Sequence, residues 1–115
     1  MSVRIWQCGG SIEFIPCSRV GHMFRVNFKQ FHENFPYRFP NGASSTVSKN
    51  KARCVEVWFD DYKQHFYTAI FGQNHRPTNL DVGDISSRVA LREKLECKSF
   101  EWYYKNIYPE LEIPK

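Results

Sequence analysis

Residues 6–25, Trp6-Gln7-Cys8-Gly9-Gly10-Ser11-Ile12-Glu13-Phe14-Ile15-Pro16-Cys17-Ser18-Arg19-Val20-Gly21-His22-Met23-Phe24-Arg25, hold a helix stop, a β-prone run, two cysteines and a histidine presented by glycine. Val3, Ile5 and Trp6 supply apolar groups ahead of Gly9-Gly10, which suits the C-terminal stop of a helix already under way at the first residues; a strand is the competing reading. Residues 11–17 are apolar and β-prone with a proline near their end, the pattern of a short buried strand that stops where a loop begins. The loop then carries Gly21-His22.

From Val26 to Ser48 the chain is rich in Asn, Pro, Gly and Ser, with Phe28, Phe31, Phe35, Tyr37 and Phe39 among them. Connections longer than about 12–15 residues are uncommon in compact domains and serve as lids or binding loops when they are ordered, and the aromatics argue against plain disorder. Residues 50–67 set Val55, Trp58, Phe59, Tyr62, Phe66 and Tyr67 at helical spacing, with Asp60, Asp61 and Lys63 on the wet side. A polar stretch follows Gly72. Asp84 or Ser87 can then cap a helix running to about Cys97, with Leu91 and Leu95 as its buried stripe. A last helix is expected from Ser99, stopping before Pro109, with Trp102, Tyr103 and Tyr104 docking it on the sheet and residues 107–115 reading as a linker.

One domain of ordinary size is expected from 115 residues, and 42% hydrophobic with 17% aromatic content describes a packed structure. The formal charge of +4 suits a phosphate-bearing ligand and falls short of a nucleic-acid binder's basic stripe, so no nucleic-acid partner is expected. No apolar run approaches the roughly 18 residues that cross a bilayer. Four cysteines, at 8, 17, 54 and 97, are too few for a disulfide scaffold, and a zinc site from Cys8, Cys17 and His22 is disfavoured by its irregular spacing. One convincing strand has no partner for its backbone groups, which points to a piece of a larger fold.

Arg4-Ile5-Trp6-Gln7-Cys8-Gly9-Gly10, Ile15-Pro16-Cys17-Ser18-Arg19-Val20-Gly21-His22, Glu56-Val57-Trp58 with Asp61-Tyr62, Leu91-Arg92 through Cys97-Lys98-Ser99-Phe100-Glu101-Trp102-Tyr103, and Tyr108-Pro109-Glu110-Leu111 together resemble the polypeptide N-acetylgalactosaminyltransferases, in that family's order and near its spacing. The resemblance covers nearly the whole chain and corresponds to the C-terminal part of the family's catalytic domain. It implies an α/β fold, the C-terminal half of a GT-A glycosyltransferase with helices packed on few strands: catalytic domain over 1–106, a lid-like loop over 26–48, and a linker over 107–115 leading to a lectin domain that the sequence does not contain. It implies transfer of N-acetylgalactosamine from UDP-GalNAc to Ser or Thr of acceptor polypeptides, with retention and with Mn²⁺, in the Golgi lumen, the only membrane attachment being through an N-terminal anchor that is likewise absent.

By the same resemblance His22 supplies one protein ligand to Mn²⁺, Arg25 and Tyr37 of the loop contact the nucleotide-sugar, and Phe24 contacts the acceptor. Gly21 lets the backbone bring the imidazole to a strand's end. Cys8 and Cys97 match positions that are bridged to each other, Cys17 matches one that pairs with a cysteine upstream, and Cys54 is expected as a buried free thiol. The sequence departs from the family at Val26 to Asn34, which reads as an insertion, and at Phe35, where some members carry a nucleotide-contacting histidine. No residue is identified as a general base, and the isolated chain is expected to be inactive. Two rivals stand beside this reading: a non-catalytic pseudo-transferase or truncated isoform that acts in binding or regulation, and a small basic interaction domain that uses its aromatic loop.

Overall fold

In the computed structural model of the chain, the residues described are 2–21, 39–40 and 42–112. They are helical: α1 (Ser2–Gln7), α2 (Ala43–Trp58), a 3₁₀ turn (Asp60–Tyr62), α3 (Lys63–Phe71), α4 (Ser86–Lys94) and α5 (Phe100–Asn106). None of these helices is long and apolar enough to cross a membrane.

α1 ends as its glycines demand. Gly10 N–H donates to Ile5 O at 2.9 Å and Gly9 N–H to Trp6 O at 3.1 Å, with Gly9 at φ 83°, the paired closure of a left-handed helix cap. A Cβ on Gly10 would lie 2.9 Å from Ile5 Cγ2, so the second glycine is required by close approach. The helical reading of residues 1–8 therefore holds over the strand. α4 closes by the same two bonds, Cys97 N–H to Arg92 O at 3.1 Å and Glu96 N–H to Glu93 O at 2.9 Å, with Glu96 at φ 50° where glycine is usual.

The core is small. Ala52 and Val55 of α2, Tyr67 of α3 and Val82 are buried together, with Phe59, Phe66, Phe71, Leu80 and Ile85 packed against them. A second aromatic cluster joins α5 to the 3₁₀ turn: Phe100 stacks on Phe59 at 4.4 Å between ring centroids, and Tyr62 leans on Phe100 at 5.2 Å. α5 begins as expected at Ser99, whose Oγ accepts from Trp102 N–H at 3.1 Å.

Four expectations are corrected. Residues 11–17 form no strand and are exposed, because among the described residues no neighbouring strand is present to take their backbone groups. The aromatic helix expected over 50–67 is two helices, broken at Phe59-Asp60 where Asp60 adopts φ 48°. Leu91 and Leu95 are 40% and 52% exposed rather than a buried stripe, since α4 turns Arg92 toward α2. The helix of Trp102, Tyr103 and Tyr104 docks against α1 and the 3₁₀ turn, with no sheet beneath it among the described residues.

Candidate functional site

Three helix ends meet at one guanidinium. Arg92 grips Asp60 with both terminal nitrogens, Nη1 to Oδ1 at 2.6 Å and Nη2 to Oδ2 at 3.0 Å. Nη1 also donates to Val57 O at 2.6 Å, and the guanidinium lies 5.6 Å from the centre of the Trp58 ring. Asp60 Oδ2 accepts in addition from Phe100 N–H at 2.8 Å, so one carboxylate ties the end of α2 to the start of α5. Burial pushes the Asp60 carboxyl up, but the bonds from Arg92 and the Phe100 amide outweigh it and hold it below the ordinary carboxylate range.

The knot extends to α1. Gln7 is 1% exposed, its Nε2 donates to Trp58 O at 3.1 Å, and its backbone carbonyl accepts from Lys98 N–H at 2.7 Å. Beside it Cys8 and Cys97 form a disulfide, so the expected bridge is present, and it joins the C-terminal caps of α1 and α4. The end of α1 is thereby fastened, and the chain that leaves it toward Gly21 is not: residues 11–21 are exposed throughout.

A second cluster lines an open cleft of about 660 Å³ between α2, α3 and the loop after Gly72. Glu56, whose side chain is only 14% exposed, accepts from Tyr67 Oη at 2.8 Å and from Lys63 Nζ at 3.1 Å, with Arg76 Nε at 4.0 Å. Burial raises the Glu56 carboxyl, and the hydrogen bonds from Tyr67 and Lys63, with the charges of Lys63 and Arg76, pull it down past its usual value. Burial and then the Glu56 carboxylate push the Tyr67 phenol well up, so the pair is a carboxylate receiving a neutral hydroxyl.

His22, Phe24, Arg25 and Tyr37 lie outside the described residues, as does most of the lid-like loop. Cys17 is free and exposed, while Cys54 is free and half-buried instead of fully buried. Among the described residues no group of three His, Cys, Asp or Glu side chains is placed to hold a metal ion.

Reading the sequence missed both clusters. Asp60 and Lys63, assigned to a wet helix face, are a half-buried anchor and the cation of the Glu56 cleft. Helical periodicity placed them outside because it assumed one unbroken helix, and the left-handed turn at Asp60 rotates them inward. His65 is half-buried against Tyr62. The available signal was Asp-Asp inside an aromatic run, since aspartate tolerates a left-handed backbone better than its neighbours do.

No protein-family profile matches the chain. Over its whole length it is 50% identical to polypeptide N-acetylgalactosaminyltransferase 14 of Homo sapiens and 48% identical to polypeptide N-acetylgalactosaminyltransferase 4 of Caenorhabditis elegans. It is 47% identical to polypeptide N-acetylgalactosaminyltransferase 13 of Rattus norvegicus, again over the whole chain. The chain spans 18–19% of the length of these relatives. A crystal structure of GalNAc-T7 with UDP, GalNAc and Mn²⁺ superposes with a TM-score of 0.70 at 40% identity, covering 91% of this chain and 18% of that one.

Proposed function

The chain belongs to the polypeptide N-acetylgalactosaminyltransferase family along its whole length, and from this we propose that it is part of a glycosyltransferase catalytic domain, the C-terminal half of a GT-A fold. The parent enzyme transfers N-acetylgalactosamine from UDP-GalNAc to Ser or Thr hydroxyls of acceptor polypeptides, with retention, and works in the Golgi lumen. The observation that carries this reading is 47–50% identity to these relatives over the whole length of the chain.

In this reading His22 is the chain's one ligand to Mn²⁺. The donor type fits: a neutral imidazole is a good partner for a divalent ion that also takes oxygen ligands, and the other ligands belong to the remainder of the enzyme. When bound, the ion supplies positive charge against a departing diphosphate. Arg25 offers its planar fork to the same diphosphate, Tyr37 contacts the nucleotide, and Phe24 contacts the acceptor. These side chains act by positioning and electrostatics, and none of them removes the acceptor proton.

The Cys8–Cys97 bridge and the Arg92 knot supply the fixed end from which the chain carrying His22 departs. Residues 107–115 act as a linker and the part of 26–48 that precedes α2 as the lid; residues 43–48, expected in that loop, are instead the first turns of α2. The test is a turnover assay on the full-length gene product with UDP-GalNAc, Mn²⁺ and Ser/Thr peptides. Transfer with retention is expected; no turnover together with no Mn²⁺-dependent UDP binding would replace the enzyme by a non-catalytic relative. Residues 1–115 alone are expected to transfer nothing, because one imidazole does not hold the ion, and transfer by that chain would refute the assignment of His22 as one ligand among several.

A further inference from the structure

The Cys8–Cys97 bridge borders an open cleft of about 360 Å³ between α2 and the C-terminal end of α4. Cys97 stands in the wall of that cleft and Cys8 does not, and both residues are half-buried, so the bridge is approached from its Cys97 end. A disulfide so placed has a chemistry of its own: a thiolate that reaches one sulfur can exchange with it.

The same wall is acidic. It sets Glu56, Glu93 and Glu96 against a single cation, Arg92. Arg92 is occupied by Asp60, and Glu56 by Lys63, from outside the cleft. With those two pairs set aside, the exposed carboxylates of Glu93 and Glu96 remain, and neither has a cationic partner among the described residues. Either count leaves two negative charges in excess. Lys98, next to Cys97 in the chain, lies instead over the Trp102 ring at 4.8 Å.

We propose that the Cys8–Cys97 bridge is a redox-sensitive clasp reached by small thiols through this cleft, and that Glu93 and Glu96 select among those thiols by repelling the anionic ones. The step is thiol–disulfide exchange. A thiolate attacks Cys97 Sγ and a new S–S bond forms there, while the old bond breaks and its electron pair leaves on Cys8 Sγ as a thiolate. A second thiol then displaces Cys97 from the mixed disulfide, so two reductant thiols become one disulfide and the bridge becomes two thiols. The attacking thiolate is itself an anion, and each further negative charge on the reductant adds to the repulsion in the opening. Gln7 stays bonded to Trp58 O and Lys98 N–H after the exchange, which keeps α1 seated while its cap is released from that of α4. The inference goes beyond the transferase reading and does not depend on it.

The test exposes the full-length gene product, in native buffer, to cysteamine, 2-mercaptoethanol and 2-mercaptoethanesulfonate, whose thiolates are zwitterionic, singly negative and doubly negative. Alkylation and mass spectrometry of the Cys8 and Cys97 peptides report where and how fast each thiol attacks. Each rate is divided by that thiol's rate with the uncharged disulfide of 2-mercaptoethanol, which removes differences in intrinsic nucleophilicity. The first mixed disulfide is expected on Cys97. Cysteamine should outpace mercaptoethanesulfonate about tenfold at low ionic strength, and the gap should close in about 1 M salt. The double variant Glu93→Gln, Glu96→Gln should also close it, and Glu93→Gln alone should narrow it and supplies the reading if the double variant lowers the thermal midpoint. First attack at Cys8, equal corrected rates for the three thiols, a gap unchanged in the glutamine variants, or exchange only in urea would each overturn the proposal.

Discussion

Cys8 and Cys17 stand close together in the sequence and occupy opposite worlds. Cys8 sits in a helix cap beside a buried glutamine and is bonded to Cys97, 89 residues further along. Cys17 is free and exposed, in a segment where Phe14 is 90% and Val20 87% exposed. Both stretches are apolar and both carry local stop signals, so local composition does not separate them. What separates them is the supply of distant partners: the first meets Trp58, Cys97 and Lys98, and the second meets none among the described residues. Order in this chain follows long-range bonding.

The largest test of that contrast is the disulfide. Replacing Cys8 and Cys97 by serine removes a closure of 89 residues and should lower stability by about 4 kcal/mol in the chain-entropy account, read as a shift in the urea midpoint. Replacing Cys17 should shift it by less than about 0.5 kcal/mol.

Arg92→Ala comes next. It strips a half-buried carboxylate of its bidentate partner and leaves Val57 O without its donor, and about 2–3 kcal/mol of destabilisation is expected after allowing for the partial exposure of Asp60. A midpoint shift below about 1 kcal/mol would show that the knot is ornamental and that the fold rests on the aromatic clusters alone.

Acid sharpens the same point. Asp60 and Glu56 are both depressed in the folded chain, so the stability they contribute is fully present above the ordinary carboxylate values near 4 and is lost as the pH falls through their lower folded values. The thermal midpoint should be insensitive to these two groups between about pH 7 and pH 5 and fall below about pH 4. Asp60→Asn should flatten part of that fall, at the expense of stability near neutrality.

Local signals were the legible ones. Gly9-Gly10 announced the end of α1 and Ser99 the start of α5, since a cap is decided within a few residues of backbone. The core role of Val55 and Trp58 was visible in their spacing. The bridge between Cys8 and Cys97 came from family resemblance, and spacing alone would not have chosen it. The Asp60 turn was hidden because a single left-handed residue shifts the phase of everything after it, and the absence of a strand at 11–17 was hidden because a strand is a property of two segments. The site residues His22, Phe24, Arg25 and Tyr37 were named by resemblance and stand outside the described residues.

The smallest expected effect sits in the bare segment. Phe14→Ser should change the stability of the chain by less than about 0.5 kcal/mol, because a side chain 90% exposed has little burial to lose. The same substitution on Phe100, 5% exposed and stacked on Phe59, should cost about 3 kcal/mol or more, and similar values for the two would erase the distinction between the regions.

The most direct test of the central claim is the Mn²⁺ dependence of N-acetylgalactosamine transfer by the full-length gene product, compared with its His22→Ala variant. The account predicts Mn²⁺-dependent transfer by the parent protein and a loss of at least about a hundredfold in the variant, with the thermal midpoint unchanged. Transfer by His22→Ala at the parent's rate and Mn²⁺ requirement would contradict it.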